Sequence, residues 1–124
     1  MLFNVRVYYA DTDAGGIVYH SKYLDFCERA RTELLRENGF IQSKMSVGFV
    51  VKNAEIEYKK SAKLDDLLTI KTDIVENKGV VLKLKQEITK DNDLIFTMNI
   101  NLVCVNMELK PVRMPKEILD KFLM

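Results

Sequence analysis

Residues 9–38, YADTDAGGIVYHSKYLDFCERARTELLREN, join a loop with two carboxylates to the one long helical pattern of the chain. From about Ser21 to Asn38, apolar side chains recur at helical spacing and form one stripe. Ser21 fits the N-cap position, and Gly39 fits the position just past the last turn. The stripe consists of Tyr23, Phe26, Cys27, Ala30 and Leu34. The pattern predicts an amphipathic helix of about 17 residues, about 25 Å long.

On both sides of this segment apolar residues recur with a period of two, which is typical of half-buried strands. Residues 2–9 form the first run, with Phe3, Val5, Val7 and Tyr9 on one side. After residue 45, further runs extend over about 50–58, 68–74, 80–88 and 94–105, and polar turns separate them. The turn residues are Asp65-Asp66, Asn77-Lys78-Gly79 and Asp91-Asn92-Asp93. The last two long runs are therefore predicted to form an antiparallel hairpin, and Pro115 to Leu123 a short closing helix.

One long helix and about five strands predict an α+β fold in a single domain, residues 1–124. A sheet with one apolar face must cover that face, and the helix is the only large element available. We therefore expect an antiparallel sheet wrapped around one central helix. A single helix cannot hide five strands completely, and the edge strands stay open. Dimerisation that pairs edges or packs helices would solve both problems.

Composition excludes several classes of function. With 48% hydrophobic and 30% charged residues among 124, the chain is ordinary for a globular domain. A formal net charge of +1 disfavours a nucleic-acid-binding protein. The N-terminal residues lack the pattern of a signal peptide, and no apolar run approaches the ~20 residues of a membrane span. Cys27 and Cys104 lie inside apolar patterns, which favours reduced core thiols and a cytoplasmic protein.

The loop of residues 9–23 gathers two carboxylates, two glycines and a histidine directly in front of the helix. Asp11 and Asp13 stand two residues apart, Gly15-Gly16 permits close approach of the backbone to a ligand, and His20 is the only histidine. Hydrolysis needs a nucleophile or a base that activates water, and donors for the oxygen that becomes negative. A carboxylate of this loop supplies the first, and a backbone N–H at the helix N-terminus supplies the second.

Other interpretations of these residues remain. Either Asp alone is common as a structural loop residue, and His20 can simply cap or orient the loop. A metal site at Asp11, Asp13 and His20 is disfavoured because no second His and no Cys pair supports it. Asp11-Thr12-Asp13 also matches the Asp-x-Asp motif of phosphohydrolases that form a phosphoaspartate. That motif belongs to alternating βαβ folds with several helices, whereas this chain has one helix followed by consecutive strands.

The run from Tyr9 to Tyr23, continued by residues 28–33, resembles the N-terminal signature of the hot-dog-fold acyl-CoA thioesterases. More narrowly, it is similar to the 4-hydroxybenzoyl-CoA thioesterase family and its YbgC-type members. The resemblance implies that Asp13 is the catalytic carboxylate, while Asp11 shapes the loop. It implies that the His20 backbone N–H holds the thioester carbonyl at the helix start. Substrate contacts are then expected from Gly15, Gly16, Val18, Tyr19 and Tyr23.

The same resemblance implies homodimers that often pair into homotetramers, with active sites at the subunit interface. Coenzyme A enters as part of the substrate, no other cofactor is expected, and acyl carrier protein is a possible alternative carrier. Lys78, Lys110 and Arg113 are candidates for holding the CoA phosphates. Most surface lysines and arginines are only solvated charges, and the same holds for the cluster Lys59, Lys60 and Lys63. A non-catalytic module that binds acyl-CoA or acyl carrier protein is the alternative function.

Overall fold

The computed structural model describes residues 1–122. Helix α1 spans Lys22–Glu37 and helix α2 spans Lys116–Lys121. The strands are β1 (Leu2–Arg6), β2 (Gly48–Tyr58), β3 (Leu67–Asn77), β4 (Val81–Lys90) and β5 (Asp93–Val105). The predicted sequence of one long helix followed by consecutive strands is confirmed. The predicted end of the closing helix, Leu123, lies outside the described residues.

The strands form a single antiparallel sheet in the order β1-β3-β4-β5-β2. Strands β4 and β5 are joined through Asp91 and Asn92, which adopt φ values of 50° and 67°. Two consecutive residues with positive φ are the mark of a type I′ turn, whose twist matches that of paired strands. The predicted hairpin is thus confirmed, and β1 and β2 are left as the two edges of the sheet.

Helix α1 covers one face of this sheet with the stripe that the sequence predicts. Tyr23, Phe26, Cys27 and Ala30 are buried and belong to the same core cluster as apolar residues of β3, β4 and β5. Leu34 is only half-buried, whereas Leu35 beside it is buried. The α+β architecture, an antiparallel sheet wrapped around one central helix, is therefore confirmed.

The two ends of α1 differ. At the C-terminal end, Gly39 has φ +91° and donates to the Arg36 carbonyl, while the Phe40 N–H donates to the Leu35 carbonyl at 2.9 Å. These two bonds define a Schellman motif, as the glycine predicts. At the other end Ser21 occupies the N-cap position, as predicted, but its side chain makes no capping bond. Ser21 itself has helical dihedral angles, because the preceding turn runs directly into the helix.

Strand β1 is shorter than its alternation predicts. The alternating pattern extends to Tyr9, but the strand ends at Arg6 and residues 9–11 form a turn of 3-10 helix. The Asp11 carboxylate closes this turn by accepting the Tyr8 N–H at 2.9 Å. Tyr9 consequently faces solvent with 82% of its surface exposed, so its predicted place in the strand is wrong.

The edge strand β2 keeps much of its apolar surface exposed. Val50, Val51, Ile56 and Tyr58 are 42%, 55%, 38% and 48% exposed, respectively. The strand is eleven residues long and pairs on one side only, with β5. One helix thus leaves this edge uncovered, as the count of elements predicts.

The cysteines and the long helix behave as ordinary core elements. Cys27 and Cys104 are both buried and carry free thiols. Burial raises the pKa of the Cys27 thiol to about 12, although Arg31 nearby opposes the shift.

Within residues 1–122, no helix has both the length and the apolar character needed to cross a membrane.

Candidate active site

The loop after β1 fixes the position of Asp13 through backbone contacts. The Asp13 N–H donates to the Ile17 carbonyl, and the Gly16 N–H donates to the Asp13 carbonyl at 3.0 Å. The Gly15 N–H donates to Asp13 Oδ1 at 2.8 Å. Gly16 has φ +80°, a conformation that a residue with a Cβ adopts at a cost. The carboxylate is therefore exposed to solvent yet oriented by the turn.

Asp11 has a different environment from Asp13. It is 8% exposed, and its carboxylate is occupied by the Tyr8 N–H. Its carbonyl accepts the Tyr19 N–H at 2.9 Å, which ties the end of β1 to the approach to α1. These contacts support the hypothesis that Asp11 shapes the loop and leave Asp13 as the available carboxylate.

The start of α1 presents backbone donors to the same region. The Tyr58 hydroxyl donates to the His20 carbonyl at 2.8 Å. In the part of the chain that the structure describes, the N–H groups of His20 and Ser21 have no hydrogen-bond partner. These two N–H groups precede the first helical residue, Lys22, and lie at the positive end of the helix dipole. Such a helix start can bind an anionic oxygen.

A pocket of about 300 Å³ brings the carboxylate and the helix start together. Of the residues predicted from the sequence, Asp13, Val18, His20 and Tyr23 contribute to its wall. The remaining wall residues are Ile17, Tyr58, Lys59, Lys60 and Ser61. The arrangement combines a carboxylate and a helix start around one cavity, which suits acyl transfer.

Three predicted substrate contacts lie beside this pocket in the described structure rather than in its wall. Gly15 and Gly16 build the turn that holds Asp13. The Tyr19 ring lies against the His20 ring, with centroids 4.3 Å apart, and it is 45% exposed. Their roles in substrate binding remain predictions.

An aromatic cluster supports the inner wall. Tyr23 is buried, its ring stacks on Phe96 with centroids 5.4 Å apart, and its hydroxyl accepts the Ala62 N–H at 3.0 Å. Burial raises the pKa of Tyr23, so its phenol stays protonated. The Tyr58 ring meets both of these rings edge-on. Tyr58 is thereby held where its hydroxyl reaches the His20 carbonyl.

The sequence did not predict the part of the wall that β2 supplies. Tyr58 and Ser61 stand about forty residues after the loop, and Lys59 and Lys60 were noted only as a basic cluster. The ammonium groups form ion pairs, Lys59 with Glu57 at 3.2 Å and Lys60 with Asp93 at 2.8 Å. One sequence feature could have indicated these wall residues: Lys59-Lys60-Ser61 directly follows an alternating strand.

The predicted phosphate-binding residues lie at the opposite end of the sheet. Lys78 pairs with Glu76, Lys110 pairs with Glu108, and the Arg113 side chain packs closely over Gly79. This end holds the last turn of α1, since Asn77 donates to the Phe122 carbonyl and Phe122 contacts Phe40. Along β2 from Gly48 to Tyr58, a strand of this length extends about 33 Å. Within one chain, these three residues therefore do not reach the Asp13 pocket.

The described residues contain no group of three or more His, Cys, Asp and Glu side chains arranged to hold a metal ion. Asp11, Asp13 and His20, which the metal hypothesis would need, do not form such a group. The chemistry available at the pocket is that of a carboxylate and hydrogen-bond donors.

Comparison with known proteins agrees with this geometry. The profile of a family described as the thioesterase-like superfamily matches residues 7–122. The chain is 44% identical to the acyl-CoA thioesterase YbgC of Haemophilus influenzae, over 97% of this chain and 92% of that protein. It is 45% identical to the acyl-CoA thioester hydrolase YbgC of Escherichia coli O6:H1, over 95% and 92%. The crystal structure of a probable thioesterase from Bartonella henselae superposes with a TM-score of 0.90 at 38% identity, over 93% of this chain and 98% of that one.

Proposed function

The chain belongs to the thioesterase-like superfamily, and on that premise we propose that it is an acyl-CoA thioesterase with the hot-dog fold. It hydrolyses an acyl-CoA thioester to a free acid and a thiol. One observation carries the proposal: a single pocket joins Asp13 to His20 at the helix start, and the His20 N–H has no hydrogen-bond partner in residues 1–122. The names of the relatives at 44% and 45% identity support the same reaction.

The chemistry follows from the two parts of the pocket. The thioester carbonyl oxygen binds at the His20 N–H, where the helix dipole stabilises the charge that develops. Asp13 either attacks the carbonyl carbon or removes a proton from a water that attacks it. In the first route an acyl–Asp13 anhydride forms as the C–S bond breaks, and water then hydrolyses it. In the second, the C–O bond forms directly, and the proton passes to the departing thiolate.

The test is thiol release from a panel of acyl-CoA thioesters by the wild type and Asp13→Asn. We expect the variant to lose about 10³-fold or more in kcat, because loss of the catalytic group leaves only the contribution of binding and oxyanion donors. Asp120→Asn is the matched control, since it makes the same change at an exposed position on α2. Wild-type-like turnover by Asp13→Asn would exclude the carboxylate role.

The same panel separates the enzyme from the alternative of a non-catalytic binding module. Tight binding of acyl-CoA by the wild type without thiol release would favour the module. Acyl carrier protein is included as a second carrier, because a pocket that accepts the thioester arm can take it from either one. The proposed reaction requires no cofactor, and treatment with a chelator is expected to leave kcat unchanged. We place the reaction in the cytoplasm, for which the buried free thiols are a support.

A homodimer, or a pair of dimers, would complete the site. The exposed apolar edge of β2 supports dimerisation through that strand. In an antiparallel pair of edges about a two-fold axis, the Gly48 end of one strand meets the Tyr58 end of the other. Lys78, Lys110 and Arg113 of the partner subunit would then approach the Asp13 pocket and could hold the CoA phosphates.

Subunit mixing tests this arrangement. A chain with Asp13→Asn and a chain with Lys110→Glu and Arg113→Glu are each expected to be inactive or weak alone. When they are unfolded together and refolded, the mixed dimer contains one site with Asp13 and the basic residues intact. Recovery of about one quarter of wild-type activity follows from the random mixing of two chains. If the mixture recovers none, the basic residues do not act across the interface.

A further inference from the structure

Two more cavities lie along α1 beyond the Asp13 pocket. The nearer one, about 210 Å³, is lined mainly by apolar residues that include Leu24, Ile56 and Met98, and Asp25 lies at its wall as well. The farther one, about 80 Å³, is closed by Leu35, Leu102 and Phe122. Glu28, Arg31 and Val51 line both cavities. Arg31 therefore stands at the junction of two apolar spaces.

The cavities follow one seam between α1 and β2. His20, Leu24, Glu28 and Arg31 are spaced by four, four and three residues, so they share one face of the helix. On β2, Tyr58 and Ile56 share one face of the strand, because side chains two residues apart point the same way. The seam thus runs from the edge of the Asp13 pocket, where the Tyr58 hydroxyl donates to the His20 carbonyl, to Arg31. The distance from His20 to Arg31 along the helix axis is about 16 Å at 1.5 Å per residue.

Arg31 is fixed in this position by a buried network. Its Nη1 donates to Gln86 Oε1 at 2.9 Å. Gln86 is fully buried, and its Nε2 donates to the Cys27 carbonyl and to Thr72 Oγ1. Burial lowers the pKa of Arg31, and Cys27 and Glu28 oppose that shift. An arginine guanidinium stays charged in proteins. Among residues 1–122, no carboxylate lies within ion-pair distance of the guanidinium. A held, charged group cannot swing aside to admit hydrocarbon.

We propose that Arg31 sets the maximum length of the acyl chain that this site accepts. The chain lies along the seam, and its terminal methyl stops at the guanidinium, because hydrocarbon pushed past that group would strip its remaining contact with water. The substrate class is then an aliphatic acyl thioester of medium length. An extended chain advances about 1.25 Å per bond, so a decanoyl to lauroyl chain is roughly 11–14 Å long and, with the van der Waals contact at its methyl end, fits the ~16 Å between His20 and Arg31. This inference rests on the proposed function.

The experiment measures kcat/KM against chain length, from acetyl-CoA to palmitoyl-CoA. Wild type is compared with Arg31→Leu, which opens the farther cavity, and with Arg31→Lys, which keeps a charge there. Arg29→Leu is the matched control, because Arg29 lies on the exposed face of α1. We expect wild-type kcat/KM to fall sharply beyond one chain length. In Arg31→Leu the fall moves to longer chains, with a gain of about tenfold or more for the first homologues past the wild-type limit.

Arg31→Lys and Arg29→Leu are expected to keep the wild-type limit. An unchanged chain-length profile in folded Arg31→Leu, verified by thermal unfolding, overturns the proposal. If Arg31→Leu does not fold, two other results overturn the proposal. One is a wild-type kcat/KM profile without a chain-length limit, and the other is a shifted limit in Arg31→Lys.

Binding of non-hydrolysable S-alkyl-CoA thioethers of the same lengths gives a readout that does not depend on turnover. A length limit in binding without any hydrolysis would overturn the proposed function and support the role of Arg31. Hydrolysis of every chain length without a limit would support the proposed function and overturn the role of Arg31.

Discussion

At the scale of single residues, the loop after β1 shows how one residue type takes two roles. Asp11 and Asp13 are two positions apart and chemically identical. Asp11 is buried and its carboxylate is occupied by a backbone N–H, so it holds the loop. Asp13 is exposed, and only its Oδ1 accepts a backbone N–H in the described structure. Their spacing in the sequence does not distinguish these two roles. The difference arises from the 3-10 turn of residues 9–11, where the alternating pattern predicts a continuing strand.

Tyr58 is expected to assist turnover through the backbone that it holds. Tyr58→Phe removes the hydroxyl that donates to the His20 carbonyl. Loss of one hydrogen bond of about 1 kcal/mol should lower kcat by about fivefold with little change in KM. Steady-state kinetics with an acyl-CoA check this, and Tyr9→Phe, at an exposed site, is the control. An unchanged kcat would show that the helix start holds its geometry without Tyr58.

The buried thiol of Cys27 predicts a pH dependence. Its pKa of about 12 in the folded state exceeds the ordinary value near 8.5, so above that pH the unfolded chain releases a proton that the folded chain keeps. The free energy of unfolding should therefore decline as pH rises from about 8.5 towards 12. Urea unfolding across this range is expected to show a shallower decline in Cys27→Ala. An equal decline in both proteins would assign it to other groups.

At the scale of elements, the helix was the most predictable part. Its apolar stripe and its glycine stop were both visible, because a period of 3.6 and a required positive φ leave direct marks in sequence. Its start at Ser21 was predicted as well, but the missing capping bond of the Ser21 side chain was not. A ligand site beside the helix start is one reason for such an exception.

The Schellman motif gives a prediction for stability. Gly39→Ala forces a Cβ into φ +91° and should lower the free energy of unfolding by about 1–2 kcal/mol. Gly48→Ala is the control, because neither glycine has a neighbour that a Cβ would meet and only Gly39 has a positive φ. Equal urea midpoints for the two variants would contradict the strain argument.

At the scale of the whole molecule, β2 is the strand whose apolar surface the fold leaves uncovered. It is a long edge strand with exposed apolar side chains on a sheet that the helix covers only in part. The incomplete coverage followed from counting elements. The positions of Lys59, Lys60 and Tyr58 beside the pocket could not be predicted in this way, because these residues meet the Asp13 loop only after β2 pairs with β5. Contacts between distant segments leave no local pattern in a single sequence.

Dimerisation through β2 predicts the mass of the particle in solution. Sedimentation should give two or four times the chain mass of 14.4 kDa. Val50→Lys places a charge on the open edge and should shift the protein towards monomer. Val75→Lys, at a valine on β3 that is 50% exposed, is the control and should keep the wild-type mass. A monomeric wild type would contradict the interface.

The two-residue turn between β4 and β5 also bears on the order in which the chain folds. Its partners are neighbours in sequence, whereas β1 pairs with β3 across more than sixty residues. Closing a short loop costs less entropy than closing a long one, so we infer that the β4–β5 hairpin forms first and β1 docks last. Pulsed hydrogen exchange would refute this if β1 amides gained protection first. The Asp13 loop follows β1, so a refolding chain should regain its compact sheet before it regains a competent site.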